Sequence, residues 1–287
     1  MARVACSPLA WRNVQVEAFL DEATDAGYTG VELLEETLDE HARQPGRLRY
    51  LLQERHVELA ATPFTGSFFE RDTRREELER LRRRVDTIAE LDGHGVVYFR
   101  TVRHPARRDM VAGEPPLLPL TKDRFTALAD SVNQLCDFCR DAGLTGAFSN
   151  RVGTYVETPE EFMEVVERTD PDVVKLAPDI GHWAYAGGDP VRLVREYRSR
   201  LAYLHLKDFD SKRYETVLEQ RLSFRHFLRD DGFKPLGEGD MDVEAVLMPL
   251  ERAEYPGWVG VELEVAHRPP KELAQVSREY LRSRLHW

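Results

Sequence analysis

Short hydrophobic runs alternate along the chain with longer segments in which apolar residues recur every three or four positions. The short runs are rich in Val, Leu, Tyr and Phe, which suit strands buried on both faces of a parallel sheet. The longer segments have the periodicity of amphipathic helices. We therefore predict eight strands, at residues 3–6, 30–33, 58–62, 96–100, 144–149, 173–178, 201–206 and 258–262.

Polar residues at the starts of the longer segments support their assignment as helices. Thr158 and Glu161 form a capping-box pattern around Pro159, and Asp189 with Pro190 repeats the cap and the proline. Strands that alternate with helices through short connections predict a parallel sheet. Eight such units favour an α/β fold closed into a (β/α)₈ TIM barrel, because a doubly wound open sheet usually has about five or six strands.

The predicted barrel accounts for the whole chain. Its 287 residues exceed the roughly 250 of a typical barrel by a few long loops, and no linker divides them. We expect a single TIM-barrel domain over residues 1–287, with long loops after strand 4 (residues 101–120) and strand 7 (residues 208–242). Both loops leave the carboxyl ends of strands, where barrel enzymes build their sites, so both are candidate lids.

The second long loop is unusually apolar. A free loop would expose its hydrophobic residues to water: Val217, Leu218, Leu222, Phe224 and Phe227. We predict that this loop contains a helical segment covering the mouth of the barrel. The sequence leaves open whether the segment is a lid on its own barrel or is buried against a second subunit of a homo-oligomer.

Composition narrows the range of partners. The formal net charge of −11 argues against a nucleic-acid partner, and the basic residues 80–84 form a solvated helix face. No apolar stretch approaches the ~20 residues that span a membrane, so no membrane partner is expected. Three cysteines and a start without a secretory pattern favour a cytoplasmic location. Cys136 and Cys139 fall in a helical pattern and are interpreted as buried thiols.

Chemically versatile side chains follow the last three predicted strands. Asp179 follows the sixth, His205 and Lys207 belong to the seventh, and Glu262 and Glu264 to the eighth. Each has a structural interpretation when taken alone, as a helix cap, a buried histidine or half of an ion pair. Because adjacent strands end at the same edge of a barrel, their joint placement instead predicts an oxygen and nitrogen site for Mn²⁺, Mg²⁺, Co²⁺ or Zn²⁺.

The residues around these positions resemble a known superfamily. Residues 179–182 and 186–190, D-I-G-H and A-G-G-D-P, resemble the D-x-G-H and A-G-x-D-P signature of xylose-isomerase-like barrels. Three further motifs of that superfamily follow in order, at residues 205–208, 235–239 and 257–262. Its members are sugar isomerases, epimerases and dehydratases. The inosose dehydratase branch is resembled most closely, at residues 8–13, 152–158 and 222–233.

The resemblance implies a set of site residues. The implied metal ligands are Asp179, His205 and Glu262, with Mn²⁺ as the first choice of cation. The implied catalytic residues are Glu262 or Glu264 as the base, and Lys207 or His182 as the group that holds an oxyanion or protonates a leaving hydroxyl. The residues expected to bind substrate are Arg151, Glu238, Glu32 and Trp11. Glu32 has an equally good interpretation as a structural carboxylate.

One departure from the superfamily pattern concerns the metal. Relatives place a Glu or His ligand at the end of the fifth strand, often followed two residues later by His, whereas this chain has Ser149 and Arg151. A neutral hydroxyl is a poor metal ligand, so the metal is expected to be weakly bound, completed by water, or absent. Arg151 is expected to contact an anionic group of the substrate or to pair with Glu157 or another nearby carboxylate.

The implied function is a sugar or cyclitol isomerase, epimerase or dehydratase that acts through a metal-stabilised enediolate. One enediolate serves all three reactions, and the branch resemblance favours a dehydratase or an isomerase. The alternatives are a metal-independent lyase or isomerase and a non-catalytic binding protein. A zinc endonuclease on the same barrel would need histidines at the ends of strands 3 and 4, where this chain has residues 62–64 (T-P-F) and 100–101 (R-T).

Overall fold

The computed structural model of the protein describes residues 3–12, 14–91, 95–264 and 267–285. The strands in these ranges are β1 (Arg3–Cys6), β2 (Gly30–Glu32), β3 (Glu58–Gly66), β4 (Val96–Thr101), β5 (Thr145–Phe148), β6 (Lys175–Leu176), β7 (Tyr203–Leu206), β8 (Asp208–Phe209), β9 (Phe233–Lys234) and β10 (Trp258–Val261). The helices are α1 (Val16–Asp25), α2 (Glu35–His41), α3 (Pro45–Glu54), α4 (Arg74–Leu91), α5 (Lys122–Asp141), α6 (Pro159–Arg168), α7 (Ile180–Tyr185), α8 (Pro190–Tyr197), α9 (Ser211–Glu219), α10 (Phe224–Arg229), α11 (Val243–Arg252) and α12 (Pro270–Leu285). Short 3₁₀ helices lie at Pro8–Trp11 and Arg107–Asp109.

Eight of the strands form one parallel sheet in the order β6, β5, β4, β3, β2, β1, β10, β7. Two parallel bridges, Leu176 to Leu201 and Asp179 to His205, connect the two ends of this sheet and complete the barrel. All eight barrel strands lie where the hydrophobic runs predicted them. The predicted (β/α)₈ TIM barrel is therefore confirmed.

Local sequence explains where the elements begin and end. Thr158 and Glu161 form the predicted capping box at α6, and the Asp189 side chain caps α8. The sixth strand is shorter than its hydrophobic run because Pro178 has no N–H to donate after Ala177, whose N–H still reaches Phe148 O at 2.9 Å. The carboxyl end of β6 thus turns directly into the site.

The segment 208–242, hereafter the lid segment, contains β8, α9, α10 and β9. Its strands β8 and β9 pair antiparallel, and a bridge joins Ser223 to Val111 in the loop after β4. Val217, Phe224 and Phe227 are buried in an apolar cluster at the carboxyl end of the barrel. Leu218 differs from the expectation, since it faces away from that cluster and is 36% exposed. Most of the apolar surface of the segment is thus covered within the chain itself.

The cysteines match their interpretation as buried thiols. Cys6, Cys136 and Cys139 are all buried and free, and burial raises the pKa of the Cys136 and Cys139 thiols. The described part of the chain contains no helix long and apolar enough to cross a membrane.

Candidate active site

Three side chains of β7 and the residue that follows it point into the barrel. Tyr203, His205 and Lys207 lie at alternate positions and therefore point to the same side of the backbone. Each is at most 2% exposed. The order along β7 runs from the barrel interior to its carboxyl end, so Lys207 lies outermost of the three.

The Lys207 ammonium lies among three carboxylates. Its Nζ is 2.9 Å from Asp179 Oδ2 and 3.4 Å from Glu264 Oε2, and it contacts Glu262 Oε1. Burial lowers the pKa of Lys207, but the three carboxylates outweigh burial and raise the pKa overall. Gly181 makes room for the side chain, because a Cβ there would lie 2.4 Å from Lys207 Cγ. Lys207 is therefore a permanently charged group at the centre of the site.

Arg151 supplies a second cation, from the loop after β5. Its guanidinium contacts Glu264 Oε1 and lies 3.3 Å from Glu262 Oε1. Burial raises the pKa of Glu264, but Arg151 and Lys207 lower it well below its ordinary value. The expected pairing with a nearby carboxylate is thus observed, with Glu262 and Glu264 as partners. Glu157 instead accepts the Gly153 backbone N–H at 3.0 Å.

His205 lies deeper, next to Glu32. Glu32 Oε1 is 2.7 Å from His205 Nε2, and both residues are buried. Burial lowers the pKa of His205, but the Glu32 carboxylate raises it overall. The rings of Tyr98 and Tyr203 pack edge-on against the imidazole, with centroid distances of 5.0 and 4.8 Å. Glu32 is therefore part of the site, and two tyrosines fix the plane of the histidine.

Asp179 is both a helix cap and a site residue. Its Oδ1 accepts the backbone N–H groups of Gly181 and His182, each at 3.0 Å, while Oδ2 faces Lys207. His182 Nε2 lies 3.8 Å from Glu264 Oε2, and its ring packs against Phe233 of the lid segment at 5.2 Å. Burial lowers the pKa of His182. Burial thus favours the neutral form of the imidazole, which the lid segment encloses.

The donor atoms form two groups that suit a divalent cation. In each group the ligand atoms lie within 4.8 Å of one another: Glu32, His205 and Glu262, and Asp179, His182 and Glu262. The predicted set is divided between them, because Asp179 and His205 belong to different groups that share Glu262. Both oxygens of Asp179 already have partners, Lys207 on one and the Gly181 and His182 N–H groups on the other.

The net charge of the cluster also favours binding of a cation. The cluster holds four carboxylates, Glu32, Asp179, Glu262 and Glu264, against the two cations Lys207 and Arg151. With His205 in the neutral form that a metal ligand requires, two negative charges remain for a cation. Mixed carboxylate and imidazole donors suit Mn²⁺, Zn²⁺ and similar ions. Ser149 is buried at the end of β5 and adds no charge. Its neighbour Asn150 accepts the Asp179 backbone N–H at 3.0 Å and so ties two strand ends together.

Two expected site residues lie outside the cluster. Trp11 donates its indole N–H to Glu22 Oε2 at 2.7 Å and packs against Phe19, although it lines a cavity at the mouth. Glu238 is exposed and pairs with Arg268 at 2.5 Å. The turn that carries Glu238 is held from its other side by the Asp208 carboxylate, which accepts the Gly237 N–H. A motif match thus located the turn without giving the direction of its glutamate.

The sequence analysis did not identify every residue of the site. Tyr98, Tyr203 and Asn150 contact predicted residues but were not singled out in the sequence. For Tyr203 a signal existed, because it lies two positions before His205 on the same strand and must share its inward face. For Tyr98 and Asn150 the contacts form between separate strands, and no local pattern indicates them.

The site is closed to solvent. Asp179, His182, His205, Lys207 and Glu262 are each at most 3% exposed. A cavity beside Glu262 and Glu264 measures about 20 Å³, which is room for about one water. This cavity is much smaller than a sugar, and part of its wall is formed by residues 231 and 233–235 of the lid segment.

Comparison with known proteins agrees with this architecture. The family model described as xylose isomerase-like TIM barrel matches residues 20–284. The inosose dehydratase of Geobacillus kaustophilus is 28% identical over 99% of this chain and 95% of its own length. The rhizopine catabolism protein MocC of Rhizobium meliloti is 30% identical over 91% of this chain and 81% of its own.

A solved structure of the IolI protein with a bound zinc atom superposes with a TM-score of 0.70. It is 19% identical and covers 98% of this chain and 97% of its own. At that identity the superposition establishes the fold, while the family model and the inosose dehydratases extend over nearly the full length. The chain therefore belongs to the xylose-isomerase-like TIM barrel family and is an enzyme of that superfamily.

Proposed function

We propose that the enzyme removes water from a polyhydroxylated ketone, a sugar or a cyclitol, after taking a proton from the carbon beside the carbonyl. The observation that carries the proposal is the buried Lys207 ammonium, fixed among Asp179, Glu262 and Glu264 at the carboxyl end of the barrel. A fixed cation of this kind stabilises the oxyanion that develops when such a proton leaves. The full-length similarity to inosose dehydratases supports dehydration as the outcome.

The base is Glu262. Its Oε1 contacts both Lys207 and Arg151, and Oε2 is the oxygen left for proton transfer among the described contacts. Glu262 takes the proton from the carbon, the electron pair moves to the carbonyl oxygen, and Lys207 donates a hydrogen bond to that oxyanion. The electron pair then returns from the oxyanion to re-form the carbonyl, and a double bond forms between the deprotonated carbon and the next carbon. The hydroxyl on that next carbon leaves as water with the proton from Glu262. Glu264 stays ionised throughout and holds Arg151 and Lys207 in place.

The residues that would hold a divalent cation are Glu32, His205 and Glu262. We choose this group because Asp179 already faces Lys207 and two backbone N–H groups. When bound, Mn²⁺ or a similar ion would supply Lewis-acid polarisation of the substrate oxygens. The rings of Tyr98 and Tyr203 restrict the orientation of the His205 imidazole and so prepare it for this role.

A substrate screen tests the proposed reaction. Purified enzyme, chelated and then supplied with Mn²⁺ or left without it, is incubated with keto-cyclitols and keto-sugars, and the products are weighed by mass spectrometry. The proposal predicts a product lighter by one water. A product of unchanged mass and altered NMR spectrum would replace dehydration by isomerisation, and no turnover in the whole panel would contradict the proposal.

A further inference from the structure

A second cavity lies at the mouth of the barrel, beside the catalytic cluster. Its volume is about 570 Å³, and its walls come from the loops after β1 and β2 and from the end of β4. Three arginines line it, Arg12, Arg100 and Arg103, together with Trp11. The cavity is large enough for the part of a substrate that extends away from the reacting carbon.

The three arginines of this cavity lack carboxylate partners among the residues that the structure describes. Within the ranges the structure describes, Arg12 and Arg103 form no ion pair, and Arg100 donates its Nε–H to Thr65 Oγ1 at 3.1 Å rather than to a carboxylate. Glu36 and Glu40 also line the cavity, yet neither pairs with these arginines. Unpaired guanidinium groups in a protein of net charge −11 indicate a site that receives its negative charge from a ligand.

The positive charge is concentrated rather than scattered. Partial burial lowers the pKa of Arg103, and the charges of Arg108, Arg151 and Arg12 lower it further, while Glu264 raises it. The segment that carries Arg103 is joined to the Arg151 loop, since Arg103 and Thr154 form a bridge and His104 N–H donates to Gly153 O at 2.9 Å. Arg103 is therefore connected, through its own segment, to the loop that carries Arg151.

We propose that Arg12 and Arg103, with Arg100 on the cavity wall, bind an anionic group of the substrate. The substrate is then an acidic keto-polyol whose carboxylate or phosphate lies in the cavity while its carbonyl end reaches Lys207. Guanidinium forks bind both kinds of group through paired hydrogen bonds. The inference rests on the proposed function for the reacting end of the substrate, but anion binding itself does not require turnover.

Calorimetric titration with inorganic phosphate and, separately, with acetate tests the anion site directly. We expect saturable binding of at least one of them, weakened about tenfold or more by Arg103→Gln and by Arg12→Gln. The matched control is Arg195→Gln on the exposed face of α8, which should bind like the wild type. No saturable binding, or equal binding by Arg103→Gln and the wild type, would overturn the inference.

A substrate panel tests the anion site independently of the proposed dehydration. It also shows whether the anionic group is a carboxylate or a phosphate. The panel contains neutral keto-cyclitols, keto-acids of sugars and phosphorylated keto-sugars. Arg103→Gln should raise KM about tenfold or more for the acidic or the phosphorylated class, with kcat changed far less. Turnover of neutral members alone, with no effect of Arg103→Gln, overturns the anion site and leaves the dehydratase intact. Phosphate or acetate binding that depends on Arg103, without turnover of any member, supports the anion site and contradicts the dehydratase.

Discussion

The two sides of the barrel mouth differ in whether their charged side chains are paired. On the side formed by β5, β6, β7 and β10, the cations Lys207 and Arg151 both pair with buried carboxylates. We call this the reaction side. On the side formed by the loops after β1 and β2 and the end of β4, Arg12 and Arg103 face a cavity of about 570 Å³ without carboxylate partners among the described residues. We call this the recognition side.

Paired and unpaired charges suit different tasks, so the carboxyl end of one barrel can support both a reaction and ligand binding. Buried, paired charges are preorganised, so they stabilise a developing charge without having to reorient during the reaction. Unpaired exposed cations keep their binding capacity for a ligand. Glu32 is the exception that links the barrel together, because it lies on β2 but reaches His205 on β7.

The largest effect should follow from removing the cation of the reaction side. Lys207→Met leaves Asp179, Glu262 and Glu264 buried without their central partner, so we expect a loss of about 3–5 kcal/mol in unfolding free energy. The rate should fall by about 10³-fold because the oxyanion loses its donor. Urea unfolding and kcat measure both effects, and Lys122→Met, at an exposed position, is the control. A variant with near-normal rate would remove Lys207 from the chemistry.

Metal affinity distinguishes the two donor groups on the reaction side. Glu32→Gln should weaken Mn²⁺ binding by about 10- to 100-fold, whereas Asp179→Asn should weaken it less because Asp179 is engaged by Lys207. Dialysis against a chelator should strip the ion readily, since Ser149 contributes no charge. Titration calorimetry gives the ranking. The reverse order would favour the set Asp179, His205 and Glu262 that the sequence pattern implies.

A pH series tests whether Glu157, which the sequence offered as a partner for Arg151, is instead a buried carboxyl group without a close cation. Burial raises the pKa of Glu157 from its ordinary value of 4.5 to about 7. A carboxyl group with a raised folded-state pKa destabilises the fold increasingly as pH rises from 4.5 to about 7, and by a constant amount above that. Glu157→Gln should therefore match the wild type below pH 4.5 and exceed it by on the order of 2 kcal/mol above pH 7. Chemical unfolding across this pH range gives the comparison.

The opposite result has a clear meaning. If Glu157→Gln is less stable than the wild type at pH 7 to 8, then Glu157 is the ionised partner of a cation. The cation would be Arg107, whose charge lowers the pKa of Glu157, and Arg107 would then be shared between Glu157 and Glu161.

The smallest effects concern the lid segment that encloses the reaction side. Within this segment Val217 is fully buried, whereas its neighbour Leu218 is 36% exposed. Val217→Ala should cost about 1–2 kcal/mol in unfolding free energy and Leu218→Ala within about 0.5 kcal/mol. Equal losses at the two positions would mean that Leu218 is covered in solution, as a second subunit would cover it.

The barrel strands were predictable because a strand buried on both faces reads as a continuous apolar run between turn signals. The location of Asp179, His205 and Glu262 followed from the same runs, since each residue lies at or just after a predicted strand. Their partners did not follow. Glu32 and His205 meet across the barrel although they lie 173 positions apart in the sequence. The periodicity of neighbouring residues contains no information about such a contact.

Residues predicted from motifs alone lie outside the cluster, whereas those that also lie at the end of a predicted strand contact it. Glu238 and Trp11 belong to matching motifs, yet their polar atoms face Arg268 and Glu22. A turn or a short helix can preserve a motif while directing one side chain to another partner. Arg151, which lies just past a strand end, does contact the cluster, although its partners depend on the loop after β10.

Solvent hydrogen exchange tests the central claim, proton removal by Glu262 beside a carbonyl, most directly. Wild type and Glu262→Gln are incubated in D₂O with members of the keto-polyol panel, and deuterium incorporation at the carbon next to the carbonyl is followed by NMR. The account predicts rapid incorporation or elimination with the wild type and a loss of about 10³-fold with Glu262→Gln. Incorporation at equal rates by the two proteins would contradict it, as would no exchange by the wild type with any member.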